Sequence, residues 1–248
     1  MQIKKFILDI LFPVKCLNCG KQDVVLCEKC FEKLLINKNL FEPQLQINTD
    51  HYLDGFFIAS DWENKILQNA IHKFKYSFVQ ELTKPLAKLL IKKINLLKQN
   101  SVDLKDFIIV PVPLHKRRFA WRGFNQAELL AKLLSKEFKM KFNNNLIKRK
   151  KYTLPQVKLK SKDRNKNIQG AFELVGSIAL RGAIVFKPLN KVFTEITNRL
   201  HPRGVEPTPE NILLIDDVIT TGATMNEMAK VLKNNGVKKV LGLAIARG

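Results

Sequence analysis

At 248 residues, 46% of them apolar, the chain has room for one α/β domain with attachments or for two small domains around a globular core. No apolar run reaches the roughly 18–20 residues that a membrane span requires, which excludes a helical integral membrane protein. The net charge of +21 leaves two readings open, base-composition bias or a polyanionic partner such as a pyrophosphate or nucleic acid; residues 141–170 hold ten Lys or Arg against one acid, which argues against uniform drift alone.

Residues 1–12 carry Lys4 and Lys5 and then an apolar run that Asp9 interrupts, with no small-residue cleavage site behind it. The pattern predicts an amphipathic helix in place of a secretion signal, and hence a cytoplasmic protein. All four cysteines, Cys16, Cys19, Cys27 and Cys30, fall within fifteen residues as C-x2-C-x7-C-x2-C, with Gly20 behind the first pair. Two such knuckles can wrap one tetrahedral Zn2+ with no open position, a structural ion for a segment too short to build its own core. Disulfides are the rival reading, disfavoured in a reducing compartment. A redox C-x-x-C would account for one pair and not naturally for two. A zinc-ribbon-like module over residues 1–36 is therefore expected, followed by an irregular polar stretch over 37–50.

Residues 56–62 read as a strand or strand end, and 64–74 as a helix with Ile66, Leu67, Ala70 and Ile71 on one side. Lys73-Phe74-Lys75-Tyr76 alternates cations with aromatics; it is either an anion clamp that stacks a flat base or a helix end with solvated lysines. Residues 78–97 predict a long helix that Pro85 kinks or restarts. A buried strand follows over 107–112, its end marked by Pro111 and Pro113. A cationic loop then leads into a helix with Ala127, Leu130, Leu134 and Phe138 on its buried side. Ligand loops in open α/β sheets lie at such strand C-terminal ends, and Arg117, Arg118 and Arg122 there suit bidentate capture of a pyrophosphate. The run Arg122-Gly123-Phe124-Asn125-Gln126 has no propensity reason to take this form and reads as chemically chosen. Residues 146–151 predict a strand entering the basic segment.

The stretch over 211–224 carries the chemistry. Ile212–Ile215 read as a short strand buried on both faces, followed by Asp216 and Asp217 and then by Thr220-Thr221-Gly222-Ala223-Thr224. Residues 225–235 have helical spacing, and 238–246 form a closing strand. Strand, tight turn and helix N-terminus make an anion site, because free N–H groups and the positive helix end face whatever sits in the turn. A bare phosphate is repelled by two carboxylates. A sugar phosphate is not: its phosphate sits in the turn while vicinal hydroxyls donate to the acids, which only accept when ionised. The bland alternative is a strand-turn-helix with two solvated acids, and the ordered combination disfavours it.

This stretch resembles the ribose-5-phosphate motif of type I phosphoribosyltransferases, which bind phosphoribosyl pyrophosphate (PRPP). The resemblance implies that Asp216 and Asp217 hold the ribose hydroxyls and that Thr220 to Thr224 hold the 5′-phosphate. Val110-Pro-Val-Pro-Leu-His115, Arg117-Arg118, Arg122-Gly-Phe-Asn-Gln-Ala127, Gln156, Arg164, Asn167 and Gly170-Ala-Phe172 add a closer likeness to the ComF family, as do the paired knuckles and the Lys73–Tyr76 cluster. These are single-domain phosphoribosyltransferase-like proteins linked in several bacteria to DNA uptake during competence. The likeness implies an α/β fold with a mainly parallel sheet over residues 55–248, Mg2+ entering with PRPP, and a mobile basic hood near 151–170. It implies phosphoribosyl transfer to an unknown acceptor with release of pyrophosphate; the alternative is a non-catalytic PRPP- or nucleotide-binding accessory protein that handles single-stranded DNA, beside competence-machinery proteins. The chain departs from the family between Leu174 and Glu210, where about 176–209 read as a loop insertion.

Overall fold

The computed structural model describes residues 14–41, 51–153, 166–175 and 209–248. The expected helix over residues 1–12, the hood residues Gln156 and Arg164, and all but the last residue of the expected insertion lie outside these. A parallel sheet organises the molecule. Its strands are β1 (Gly55–Ile58), β2 (Ile108–Pro111), β5 (Asn211–Ile219) and β6 (Lys239–Arg247), in the order β1-β6-β5-β2, with every neighbouring pair parallel. The segment after Met140 adds a further row outside β2, where the Ile109 N–H donates to Lys141 and Ile109 accepts from Asn143. The α/β reading with a mainly parallel sheet is borne out.

Side chains alternate between two apolar layers, as strands covered on both faces require. Phe57, Ile109, Leu213, Ile215, Leu241 and Leu243 face one layer, built from α2 (Lys65–Tyr76), α3 (Thr83–Gln99) and α5 (Gln126–Phe138). Phe56, Ile58, Val110, Ile212, Leu214 and Val240 face the other, covered by α6 (Ala223–Lys233) and the antiparallel hairpin of β3 (Ile147–Arg149) and β4 (Phe172–Leu174). The approach of α6 is set by Gly242, where an added Cβ would meet Met225 Sδ at 2.6 Å and Phe56 Cβ at 3.3 Å.

Local chemistry sets the helix bounds. Asn64 caps α2, its side chain accepting from the N–H groups of Ile66 and Leu67. Pro85 lies in the first turn of α3, behind a 3-10 turn over Gln80–Leu82, so its missing N–H costs nothing and the helix does not kink. The cationic segment after β2 is not a loop. His115 caps a short helix α4 (Lys116–Arg122), which Gly123 ends in the left-handed conformation at φ 75°.

The cysteine module, with its short helix α1 (Glu28–Phe31), packs Cys16, Cys27, Phe31 and Leu34 into the same apolar cluster as α2 and α3. Its exit runs along β1, where the Asn37 N–H donates to Ala59 and the Ser60 hydroxyl to Leu35 O at 2.6 Å. Lys93, fully buried in α3, donates to the carbonyls of Asn37 and Asn39 and pins this connection. Among the described residues no helix is long and apolar enough to cross a membrane.

Candidate functional site

A cavity of about 410 Å3 opens at the C-terminal ends of β2 and β5. Open α/β sheets place ligands at this end, because the strand ends and helix N-termini that follow converge there. Asp216 and Asp217 occupy the last turn-ward part of β5 and both line the cavity. Successive strand residues point to opposite faces, so the pair is served from both layers. Asp217 is buried and takes an ion pair of 2.8 Å from Lys75 at the end of α2. Asp216 lies within electrostatic range of Arg149 on β3 and accepts the backbone N–H of Asp217 at 2.8 Å. Burial, and then the neighbouring charge of Asp217, push the Asp216 carboxyl up to about 7, against the pull of Lys75.

Thr220 and Thr224 line the cavity beside the acids. Between them the chain turns at Gly222, which takes φ 76° as the N-cap of α6 and brings no side-chain cap. The Ala223 N–H leans on Thr221 Oγ1 at 3.4 Å. Thr221, Gly222 and Ala223 thus shape the turn, while Thr220 and Thr224 present to the cavity.

The facing wall is cationic. Arg118 and Arg122 line it from α4, and Arg149 from β3; Arg117 instead lies exposed, its guanidinium 5.4 Å from the centre of the Tyr152 ring. Arg118 Nη2 donates to Thr153 O at 2.7 Å, and Arg149 donates to the hydroxyl of the same residue. Arg122 Nη1 donates to Gln126 at 2.9 Å. Burial, and then the charge of Arg118, bring Arg149 down to about 10; burial and then Arg122 lower Arg118 as well. The Nε groups of Arg122 and Arg149 are buried with no hydrogen-bond partner. Crowded cations with unused donors are costly unless an anion joins them. The arrangement therefore suits a ligand with negative charge at two places and hydroxyl donors between.

Lys75, read from sequence as part of either an anion clamp or a solvated helix end, lines the wall, and Arg149, Tyr152 and Trp121 join it with no site role expected from sequence. Lys75 was visible as part of the Lys-Phe-Lys-Tyr cluster; Arg149 was hidden in a run of basic residues. The run from Arg122 to Gln126 has structural reasons for its form after all. Asn125 caps α5 and donates to Val112 O at 3.0 Å, Gln126 donates to Phe74 O at 3.2 Å, and Phe124 packs 5.8 Å from the ring centre of Phe74.

In the N-terminal module the four cysteines converge, their sulfur atoms all within 4.8 Å of one another. Cys16 and Cys27 lie 3.7 Å apart, and Cys19 and Cys27 3.5 Å. A tetrahedron of thiolates at the ~2.3 Å zinc–sulfur length has an edge of about 3.8 Å, so the donor set fits such an ion. The first knuckle turns at Gly20, φ 75°, whose N–H returns to Cys16 O at 3.0 Å. Burial opposes ionisation of Cys16, yet the backbone N–H groups of Cys19 and Cys27 prevail and bring its thiol down to about 6. Asn18 favours the Cys30 thiolate, but burial and the neighbouring sulfurs push it up to about 11. A cation relieves that mutual repulsion. These four residues could hold a metal such as zinc.

No family model matches the chain. Competence protein F of Haemophilus influenzae is 30% identical over 232 residues, 94% of this chain and 78% of that protein. DNA utilization protein YhgH of Escherichia coli strain K12 is 29% identical over 175 residues, 70% of this chain and 64% of that protein. Competence protein ComFC of Bacillus subtilis is 29% identical over 132 residues, 53% of this chain and 40% of that protein.

Proposed function

The chain belongs to the ComF family, and from this membership and the cavity at the end of β5 we propose that it binds PRPP and acts as a phosphoribosyltransferase-like protein. The observation that carries the reading is one cavity that gathers two strand-end carboxylates, a threonine turn at a helix N-terminus and three arginines. In this reading the turn from Thr220 to Thr224 holds the 5′-phosphate through hydroxyls and the N–H groups of the first turn of α6. Asp216 and Asp217 accept from the ribose 2′- and 3′-hydroxyls. Lys75 holds Asp217 in place through their 2.8 Å ion pair. Arg118, Arg122 and Arg149 receive the pyrophosphate, and their idle Nε donors gain partners there. Arg117 serves only the outer approach.

Transfer then breaks the bond from C1 of the ribose to the pyrophosphate oxygen, and an acceptor takes that carbon. The chain supplies position and charge: arginines stabilise the departing pyrophosphate, and the acid pair faces a ring that becomes electron-poor. Mg2+, carried in on the pyrophosphate, would neutralise part of the leaving charge. The cysteine site, with four thiolates and no open position, has a structural role. Unpaired cysteines and a soluble sugar-phosphate ligand fit a cytoplasmic location.

The test is thermal. PRPP with Mg2+ should raise Tm by several degrees, and Asp216→Asn with Asp217→Asn should abolish the rise; an equal rise in the double variant sinks the proposal. A second reading, a non-catalytic accessory that handles single-stranded DNA, draws on the similarity to a competence protein and a DNA utilization protein and on the net charge of +21. Salt-sensitive retention of single strands without release of pyrophosphate favours it.

A further inference from the structure

Two of the arginines on the cavity wall come from different elements, Arg118 from α4 and Arg149 from β3, yet both end on one residue. Arg118 Nη2 donates to the Thr153 carbonyl at 2.7 Å, and Arg149 Nη2 donates to the Thr153 hydroxyl. Thr153 is 2% exposed, although Lys150, Lys151 and Tyr152 before it all face solvent. The chain reaches it from an anchored point: the Lys150 N–H donates to Ala171 O at 2.9 Å, which ties the end of β3 to the residue before β4. Thr153 does not line the cavity. It stands behind the two guanidiniums, out of reach of a ligand.

Two cations gathered on one residue repel each other, and the charge of Arg118 is felt at Arg149. A carboxylate between them would relieve the repulsion, but it would also cancel the charge that an anion is to meet. Thr153 offers two neutral oxygens instead, which accept from both cations and leave their charge in place. Arg122 is treated alike, held by the neutral side chain of Gln126 at 2.9 Å. Resting on the PRPP reading, we propose that Thr153 is a positioning residue for the pyrophosphate half of the site, and through it a determinant of specificity for PRPP over ribose 5-phosphate. Its hydroxyl holds Arg149 and its carbonyl holds Arg118, so both are in place on one wall before a ligand arrives. Ordering them in advance lowers the entropy lost on binding. Ribose 5-phosphate asks little of this clasp, because in the same reading its hydroxyls and phosphate are held by β5 and the turn before α6.

Isothermal titration with PRPP and, separately, with ribose 5-phosphate, both with Mg2+, tests this on wild type, Thr153→Val, Thr153→Ala and Thr153→Ser. Val keeps the shape and the carbonyl and loses the hydroxyl; Ser keeps both oxygens; Ala serves as the same deletion should Val disturb the fold. PRPP should weaken about tenfold in the Val and Ala variants, the scale of one hydrogen bond to a charged group, and return to within about threefold of wild type in Ser. Ribose 5-phosphate should bind all four proteins alike. On an Arg149→Met background, Thr153→Val should weaken PRPP no further, since its effect runs through Arg149. Equal weakening of both ligands marks a merely structural role and overturns the inference. So do an unchanged PRPP affinity in the deletions, a Ser variant no better than they are, or a full further loss on the Arg149→Met background. Those results leave PRPP binding by the wild-type chain standing. A wild-type chain that binds no PRPP removes that reading, and this inference with it.

Discussion

Asp216 illustrates how one side chain carries both a structural cost and a proposed role. Its folded pKa, about 7, lies above its ordinary value of 3.8 because the group is desolvated beside Asp217. A raised folded value means that the proton stabilises the fold fully below the unfolded pKa, and this contribution is lost as pH rises through about 7. Asn mimics the neutral form. Asp216→Asn should therefore melt higher than wild type at pH 8, by about 2–4 °C for each kcal/mol recovered in a chain of this size, and the gap should close towards pH 5. Calorimetry of the two proteins at both pH values checks this; a constant gap contradicts it. Ligand binding should run the opposite way. The ionised carboxylate accepts at both oxygens, whereas protonation turns one of them into a donor and removes the charge, so the PRPP-induced rise should grow from pH 6 to pH 8 in wild type. Arg149 is a second single-residue test. Arg149→Met removes a buried cation with an idle donor, and should weaken PRPP about tenfold or more while leaving Tm without ligand unchanged or raised.

At the scale of elements, the joint between α4 and α5 decides how the arginines meet the acids. Asn125 closes it twice, capping α5 and tying it to Val112 at the end of β2. Asn125→Ala should cost about 1–2 kcal/mol for the cap, more for the orphaned carbonyl, measured by urea unfolding. Asn125→Asp should restore the cap alone, since a carboxylate cannot donate to Val112. The strands and long helices were legible in the sequence because apolar periodicity reports burial directly: Ile212–Ile215 of β5 and Val240–Ala246 of β6 are continuous apolar runs, and α2 and α5 fall where the spacing predicts, while α3 begins at Thr83, five residues later than expected. The helix α4 was not legible. It buries none of its residues, so it has no apolar stripe to read, and its basic composition resembles a loop.

At the scale of the molecule, the cysteine site and the sheet share one apolar cluster. Loss of a metal there should reach α2 and α3, and with them Lys75. We expect about one zinc per chain by elemental analysis, and a strong chelator should lower Tm and blunt the PRPP response together; a metal-free protein with unchanged melting would refute it. What the sequence by itself determined is whatever lies within one turn of chain: the spacing of the cysteines, the order of strand, acid pair, threonine turn and helix, and the alternation that makes a buried parallel sheet. Those features are local, so local residue types suffice to specify them. Only the tertiary structure decided that Lys75 reaches Asp217, that Arg149 and Tyr152 close the cavity while Arg117 stays outside, and that the exposed aromatics gather at its mouth. Those pairings join distant segments through the strand order β1-β6-β5-β2 and the hairpin laid over it, and periodicity records that a residue is buried without recording what it is buried against.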